Sequence, residues 1–239
     1  MTSLAIMCPS MGGHEDAVVT WKDTMSKPHD IIIDDTTEGD EAGFLTKCDK
    51  MWRTCDADII GYLHSDLYLL EAGWDQRVLG EFENERVGVV GVVGALGLAS
   101  DDIYRTPYDF RQLARSGVVS NLTDWEVHGG HETGSRSMAV VDSCAVFVRR
   151  QLLSRCGGWP VGTYPNSSHC SDLWVCCTAR RLGYVCRVVG VRAQHRSGGK
   201  GQAGSQWLTD RGGDDKMHKD AHVAIYNDFR DVLPIRIRS

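Results

Sequence analysis

No stretch of this 239-residue chain approaches the roughly 18 consecutive apolar residues that a membrane-crossing helix needs. The N-terminus also lacks a basic segment followed by an apolar signal core, so a soluble, cytoplasmic protein with no membrane partner is expected. Proline is scarce at 6 residues while glycine reaches 26, a balance that favours close-approach loops over a disordered or collagen-like chain. The nine cysteines are odd in number, include no C-x-x-C pair and mostly fall inside apolar segments, as reduced core thiols do. A structural zinc site is therefore not expected. The first apolar run is followed by no G-x-G-x-x-G and the chain has no Walker A sequence, which disfavours dinucleotide oxidoreductases and P-loop enzymes. The sequons at Asn121 and Asn166 carry no meaning without secretion.

With 42% hydrophobic residues the chain can bury a full core, and one large α/β domain is expected. Strand and helix signals alternate through the first hundred residues. Strands are expected near 3–8, 29–34, 58–63 and 87–93, and helices near 14–26, 41–55 and 73–84. Such alternation with short connections implies a mostly parallel, doubly wound sheet with right-handed crossovers. Residues 138–148 read as a further strand with Asp142 as the one carboxylate set into it, either at a strand edge or in a site. A helix is expected from Ser171 to Leu182, a strand near 184–191, and a last helix from about His218 to Asp231.

Net charge is −6 overall, yet residues 180–239 hold twelve Lys/Arg against six Asp, which leaves −12 on residues 1–179. A basic C-terminal quarter on an acidic body fits contact with something anionic, although a solvated basic face would look the same.

The run Ile59–Leu63 ends abruptly in His64-Ser65-Asp66. In open α/β sheets the ligand sits beyond the carboxyl ends of the strands, and residues two apart on extended chain project to the same side. An imidazole beside a carboxylate there can hold a divalent cation and the phosphates it carries. Two further polar clusters punctuate the second half. His169-Cys170-Ser171-Asp172 opens a helix, where Asp172 could also be a plain first-turn carboxylate. His195-Arg196-Ser197-Gly198-Gly199 follows a late strand.

In order and spacing these three elements resemble the GT-A glycosyltransferases, specifically family 2-like enzymes, over most of residues 3–200. Tyr62 to Tyr68 with Gly73-Trp74 is similar to that family's D-x-D-type motif and following helix start. Asp172 to Tyr184 is similar to its catalytic-carboxylate helix, and His195 to Gly199 to its downstream histidine and small-residue loop. The resemblance implies a single GT-A domain over 1–215, with a donor half (1–94), an acceptor half (95–195), a glycine-rich lid (196–213) and a C-terminal helix and tail (216–239). It implies transfer from a UDP-sugar with Mn2+ or Mg2+ and inversion of the anomeric configuration. Asp172 would be the base, Asp66 and His195 the metal ligands, and Arg196 and Lys200 the clamp on the pyrophosphate. Pro9, Ser10 and Asp34 would form the nucleoside site. His64 stands where the family has an acid, and its place is metal, ribose or phosphate.

The acceptor is expected to meet Asp142, Trp125 and His169, the last of which could equally pack beside Trp174. A polyanionic acceptor would match the basic quarter, and DNA carrying 5-hydroxymethylcytosine, as glycosylated by bacteriophage enzymes in a host cytoplasm, is the preferred expectation. Trp125, Trp207 or Tyr108 could stack on a flipped base. A glycan or small-molecule acceptor is the alternative. From other classes, a nucleotidyltransferase or a non-catalytic nucleotide-sugar-binding module would also use such a sheet.

Overall fold

The computed structural model describes residues 2–10, 12–37, 43–98, 118–121, 123, 132–164, 171–196, 221, 223–233 and 235–237. Its centre is a seven-stranded sheet in the order β2 (Asp30–Asp34), β1 (Leu4–Pro9), β3 (Ile59–Leu63), β11 (Ala145–Arg149), β5 (Val87–Gly91), β12 (Val185–Val189) and β9 (Ser135–Met138). β1, β3 and β5 are buried along their whole length, the pattern expected of strands covered on both faces. β2 and β12 complete a set of five strands running the same way, joined by β1–β2, β1–β3 and β5–β12 parallel pairs. β11 runs antiparallel between β3 and β5, and β9 antiparallel beside β12.

Side-chain alternation divides the core. Leu4, Ile6 and Cys8 enter one cluster with Trp21 of α1 (Glu15–Thr24) and Trp74 and Val78 of α3 (Trp74–Glu81). Ala5 and Met7 enter the other, with Met51 and Trp52 of α2 (Phe44–Trp52). That second cluster also takes Leu152 and Leu153 of α4 (Arg150–Cys156) and Cys176 and Cys177 of α5 (Ser171–Arg181). Both faces of the sheet are thus covered by helices, as the strand–helix alternation implied. No helix among the described residues is long and apolar enough to cross a membrane.

The expected strand over 138–148 is corrected: it is three elements. β9 ends at Met138, β10 is Val140–Val141, and β11 begins at Ala145. The cause is Asp142, whose Oδ1 accepts from the Cys144 amide at 2.8 Å while its own amide donates to Val93 O at 2.9 Å. A short carboxylate that bonds the backbone two residues on turns the chain where a longer apolar residue would continue it. β10 then pairs antiparallel with β6 (Val93–Ala95), which also pairs with β8 (Val118–Ser120). The expected strand over 87–93 is divided likewise into β5 and β6. A short ribbon joins β4 (Leu67–Leu69) to β13 (Ala193–His195), and β7 (Gly97–Leu98) pairs with β14 (Ile235–Arg236). Residues 223–228 are helical, within the span expected for the last helix.

All eight described cysteines carry free thiols. Asn121 is buried, its amide donating to Val189 O at 2.9 Å and accepting from the Glu132 amide at 3.0 Å, so this sequon's side chain is used inside the fold.

Where β6 crosses β10 the backbones approach closely. A β-carbon on Gly94 would lie 2.5 Å from Val140 O and 2.9 Å from Val188 Cγ2. Overpacking against main chain costs about 1–3 kcal/mol. Gly94→Ala is therefore expected to lower Tm by roughly 5 °C in a thermal melt; an unchanged Tm would contradict this approach.

Candidate active site

The parallel strands deliver their carboxyl ends to one edge of the sheet. Pro9 closes β1, Asp34 closes β2 and His64 follows β3. Because β11 is reversed, its beginning lies at the same edge, and the His64 amide donates to Cys144 O at 3.1 Å. The chain then reverses over 64–67, with the Leu67 amide on His64 O at 3.1 Å, and enters β4. β13 pairs with β4 so that His195 sits opposite Leu67, and the Arg196 amide donates to Asp66 O at 3.0 Å. A ribbon of two three-residue strands thereby joins side chains far apart in sequence.

The result is a compact triad. His195 Nε2 lies 3.2 Å from Asp66 Oδ1 and 3.3 Å from His64 Nδ1. One donor atom from each of His64, Asp66 and His195 fits within 4.8 Å of the others. Burial, reinforced by the neighbouring His195, lowers the His64 pKa to about 4, against the opposing pull of Asp66 and Asp142. His64 is therefore neutral near pH 7, with a ring lone pair available as a ligand. His195 is 9% exposed, and Phe44 meets the His64 ring edge-on with centroids 5.8 Å apart. The donor set of two imidazole nitrogens and one carboxylate oxygen suits Mn2+ and similar transition metals better than Mg2+, which prefers an all-oxygen shell. Cys8 is close by on β1, but burial pushes its thiol up to about 12, so it stays protonated.

Pro9 and Ser10 form the floor beside this triad with Asp34. The Ser10 amide donates to Asp34 O at 2.8 Å, and its hydroxyl accepts from the Gly12 amide at 2.9 Å and meets His14 Nδ1 at 3.3 Å. The Asp34 carboxylate accepts from the Thr36 amide at 3.1 Å. Partial burial works against its charge, but bonds from Thr36 and the cations of Lys47 and Lys50 outweigh this and hold the carboxyl below the usual range. Lys47 reaches the same floor from α2 and donates to Ser10 O and Asp34 O. Sequence reasoning missed it. The signal was present: Phe44, Lys47, Cys48 and Met51 follow the i, i+3, i+4, i+7 stripe, so the lysine lies on the helix face that packs inward.

Asp142 is tied to the start of this turn through Cys144, whose amide donates to Asp142 Oδ1 at 2.8 Å and whose carbonyl accepts from the His64 amide at 3.1 Å. Asp172 is 4% exposed in the first turn of α5, with Oδ1 accepting from the Leu173 amide at 2.7 Å. Four residues on, the Cys176 thiol accepts from the Val141 amide at 3.4 Å, so this face of α5 packs on β10 just before Asp142. The Arg196 guanidinium stacks 3.9 Å from the centre of the Tyr68 ring and donates to Gln194 Oε1 at 3.0 Å. Trp125, His169 and Lys200 lie outside the described residues, as do Tyr108, Trp207 and the glycine-rich stretch 197–213.

Five co-directional strands with one reversed strand between β3 and β5 form a mostly parallel, doubly wound sheet, the GT-A fold of the solved structures that it resembles. Among solved structures, the chain is similar to the mannosyltransferase PcManGT from Pyrobaculum calidifontis, in complex with GDP-Man and Mn2+. That match has a TM-score of 0.53 at 14% identity over 94% of this chain and 69% of that one. It is also similar to GalNAc-T7 with UDP, GalNAc and Mn2+, with a TM-score of 0.52 at 9% identity over 82% of this chain and 44% of that one. A STIV protein aligns at 17% identity over 82% of this chain and 85% of that one, with a TM-score of 0.47. No protein-family model and no curated protein matches the sequence.

Proposed function

We propose that this chain is a divalent-metal-dependent glycosyltransferase that moves a sugar from a nucleotide diphosphate to an acceptor hydroxyl. The observation that carries this reading is the His64, Asp66 and His195 triad, set beside the Ser10 and Asp34 floor at the carboxyl edge of a GT-A sheet. The fold neighbours described as complexes hold Mn2+ with GDP-Man in one case and with UDP and GalNAc in the other. Here the triad would hold Mn2+, or less comfortably Mg2+. The cation supplies positive charge against the departing nucleoside diphosphate.

The chain's own groups would do the rest. Pro9 and Ser10 pack along the base, and Asp34 accepts from the base or ribose, with uridine the preferred nucleoside. Arg196 and Lys200 extend over the pyrophosphate. Asp172 takes the proton of the acceptor hydroxyl while the sugar is attacked from the opposite face, which inverts the anomeric carbon. His169, Trp125 and Asp142 hold the acceptor.

The basic quarter over residues 180–239 favours an anionic acceptor, and DNA bearing 5-hydroxymethylcytosine is the preferred one. Mass spectrometry after incubation with Mn2+, a panel of nucleotide sugars and either modified or unmodified DNA tests the reading. A hexose-sized gain on modified DNA alone is expected. No gain, together with Mn2+-dependent hydrolysis of one nucleotide sugar, keeps the transferase and moves the acceptor to a glycan or small molecule. No turnover of any nucleotide sugar would overturn the enzyme reading in favour of a binding module.

A further inference from the structure

Beneath the nucleoside floor lies a buried charge for which the transfer chemistry has no use. Lys47 is only 1% exposed. Burying an ammonium is costly unless it is well bonded, and an apolar side chain of similar length would fill the space without that cost. Its Nζ donates to two main-chain carbonyls, those of Ser10 and Asp34. These are the places where β1 and β2 part company. Pro9 and Asp34 are the last paired residues of the two strands, and the Ser10 amide on Asp34 O is the bond that follows. Beyond it one chain turns through Gly12 and Gly13, both with positive φ, and the other turns at Thr36. Lys47 thus extends the β1–β2 ladder by a side chain where backbone pairing stops.

We propose that Lys47 is a positioning residue for the nucleoside of the donor, setting the separation between the segment after β1 and the Asp34 turn that would grip the base and ribose. The inference rests on the reading of this cleft as a nucleotide-sugar site. One turn earlier on α2, Phe44 touches the His64 ring, so the same helix borders the metal triad, yet Lys47 itself bonds only the nucleoside side among the contacts described. Lys47 should therefore govern nucleoside affinity and leave metal and phosphate affinity alone.

The test is calorimetry and Mn2+ electron paramagnetic resonance on the full chain and on Lys47→Met, with three probes: Mn2+ alone, Mn2+ with inorganic pyrophosphate, and Mn2+ with UDP or GDP. In the variant, nucleotide Kd is expected to rise about tenfold or more, while Mn2+ and pyrophosphate affinities stay within about twofold. Lys47→Gln, whose amide can still donate to one carbonyl, is expected to fall between the two and carries the test if the methionine variant does not fold. Unchanged nucleotide affinity in either folded variant overturns the inference. So does an equal loss for pyrophosphate, which would make Lys47 a charge acting on phosphate. If the unaltered chain binds UDP and GDP no better than pyrophosphate, the nucleotide-site reading itself fails, separately from the role of Lys47.

Discussion

His195→Ala is expected to weaken Mn2+ binding by about 100-fold or more and to remove transfer activity at micromolar Mn2+, with the fold retained. His195 Nε2 is the atom that both Asp66 and His64 approach, at 3.2 Å and 3.3 Å, so its removal leaves the two donors of one short turn without the ligand that β13 brings to them. The ribbon that carries it is held by main-chain pairing of β13 with β4 and by the Arg196 amide on Asp66 O, neither of which needs the imidazole. Electron paramagnetic resonance of Mn2+ measures the affinity directly. Undiminished binding would show that the cation sits elsewhere. His64→Asp tests the same set from the other side: exchanging a nitrogen for a hard oxygen should raise activity with Mg2+ relative to Mn2+.

Asp172→Asn should lower kcat by about 10²–10⁴-fold while leaving nucleotide affinity near its original value. The substitution is informative because of what it preserves. Oδ1 of Asp172 accepts from the Leu173 amide at 2.7 Å, and an asparagine oxygen can accept the same bond, so α5 keeps its first turn. Only the ability to take a proton is lost. Pre-steady-state turnover and calorimetric donor binding on the same preparation separate the outcomes. A donor affinity that falls as far as turnover would move Asp172 into the donor site, and unchanged turnover would leave it a helix-start carboxylate.

Much of the sheet was readable because its central strands are buried on both faces. β1, β3 and β5 lie within a residue or two of their expected places, since a strand flanked by two helical layers must be apolar at every position. The 138–148 run misled for the same reason. Its apolar residues are all buried, but in three elements, and periodicity does not report the local bond from Asp142 to the Cys144 amide that divides them. α4 was not foreseen either. Seven residues directly after a strand give too short a window for a helical stripe, and the glycine that ends it, Gly157 at φ +86°, marks a stop without marking what precedes it.

The site divides along similar lines. His64 and Asp66 stood out because they end an apolar run, and their shared direction followed from strand geometry. The sequence by itself therefore determined the layered α/β architecture, the edge of the sheet where polar chemistry collects, and two of the three triad members. That His195 completes the triad came from resemblance, and only the tertiary structure decided it, through β4 and β13. Strands of three residues carry almost no periodic signal, and their pairing depends on where two distant segments meet. Lys47 was decided in the same way. Its two acceptors are main-chain carbonyls on β1 and β2, and a carbonyl is present at every residue, so no pattern of side chains could name those two in advance.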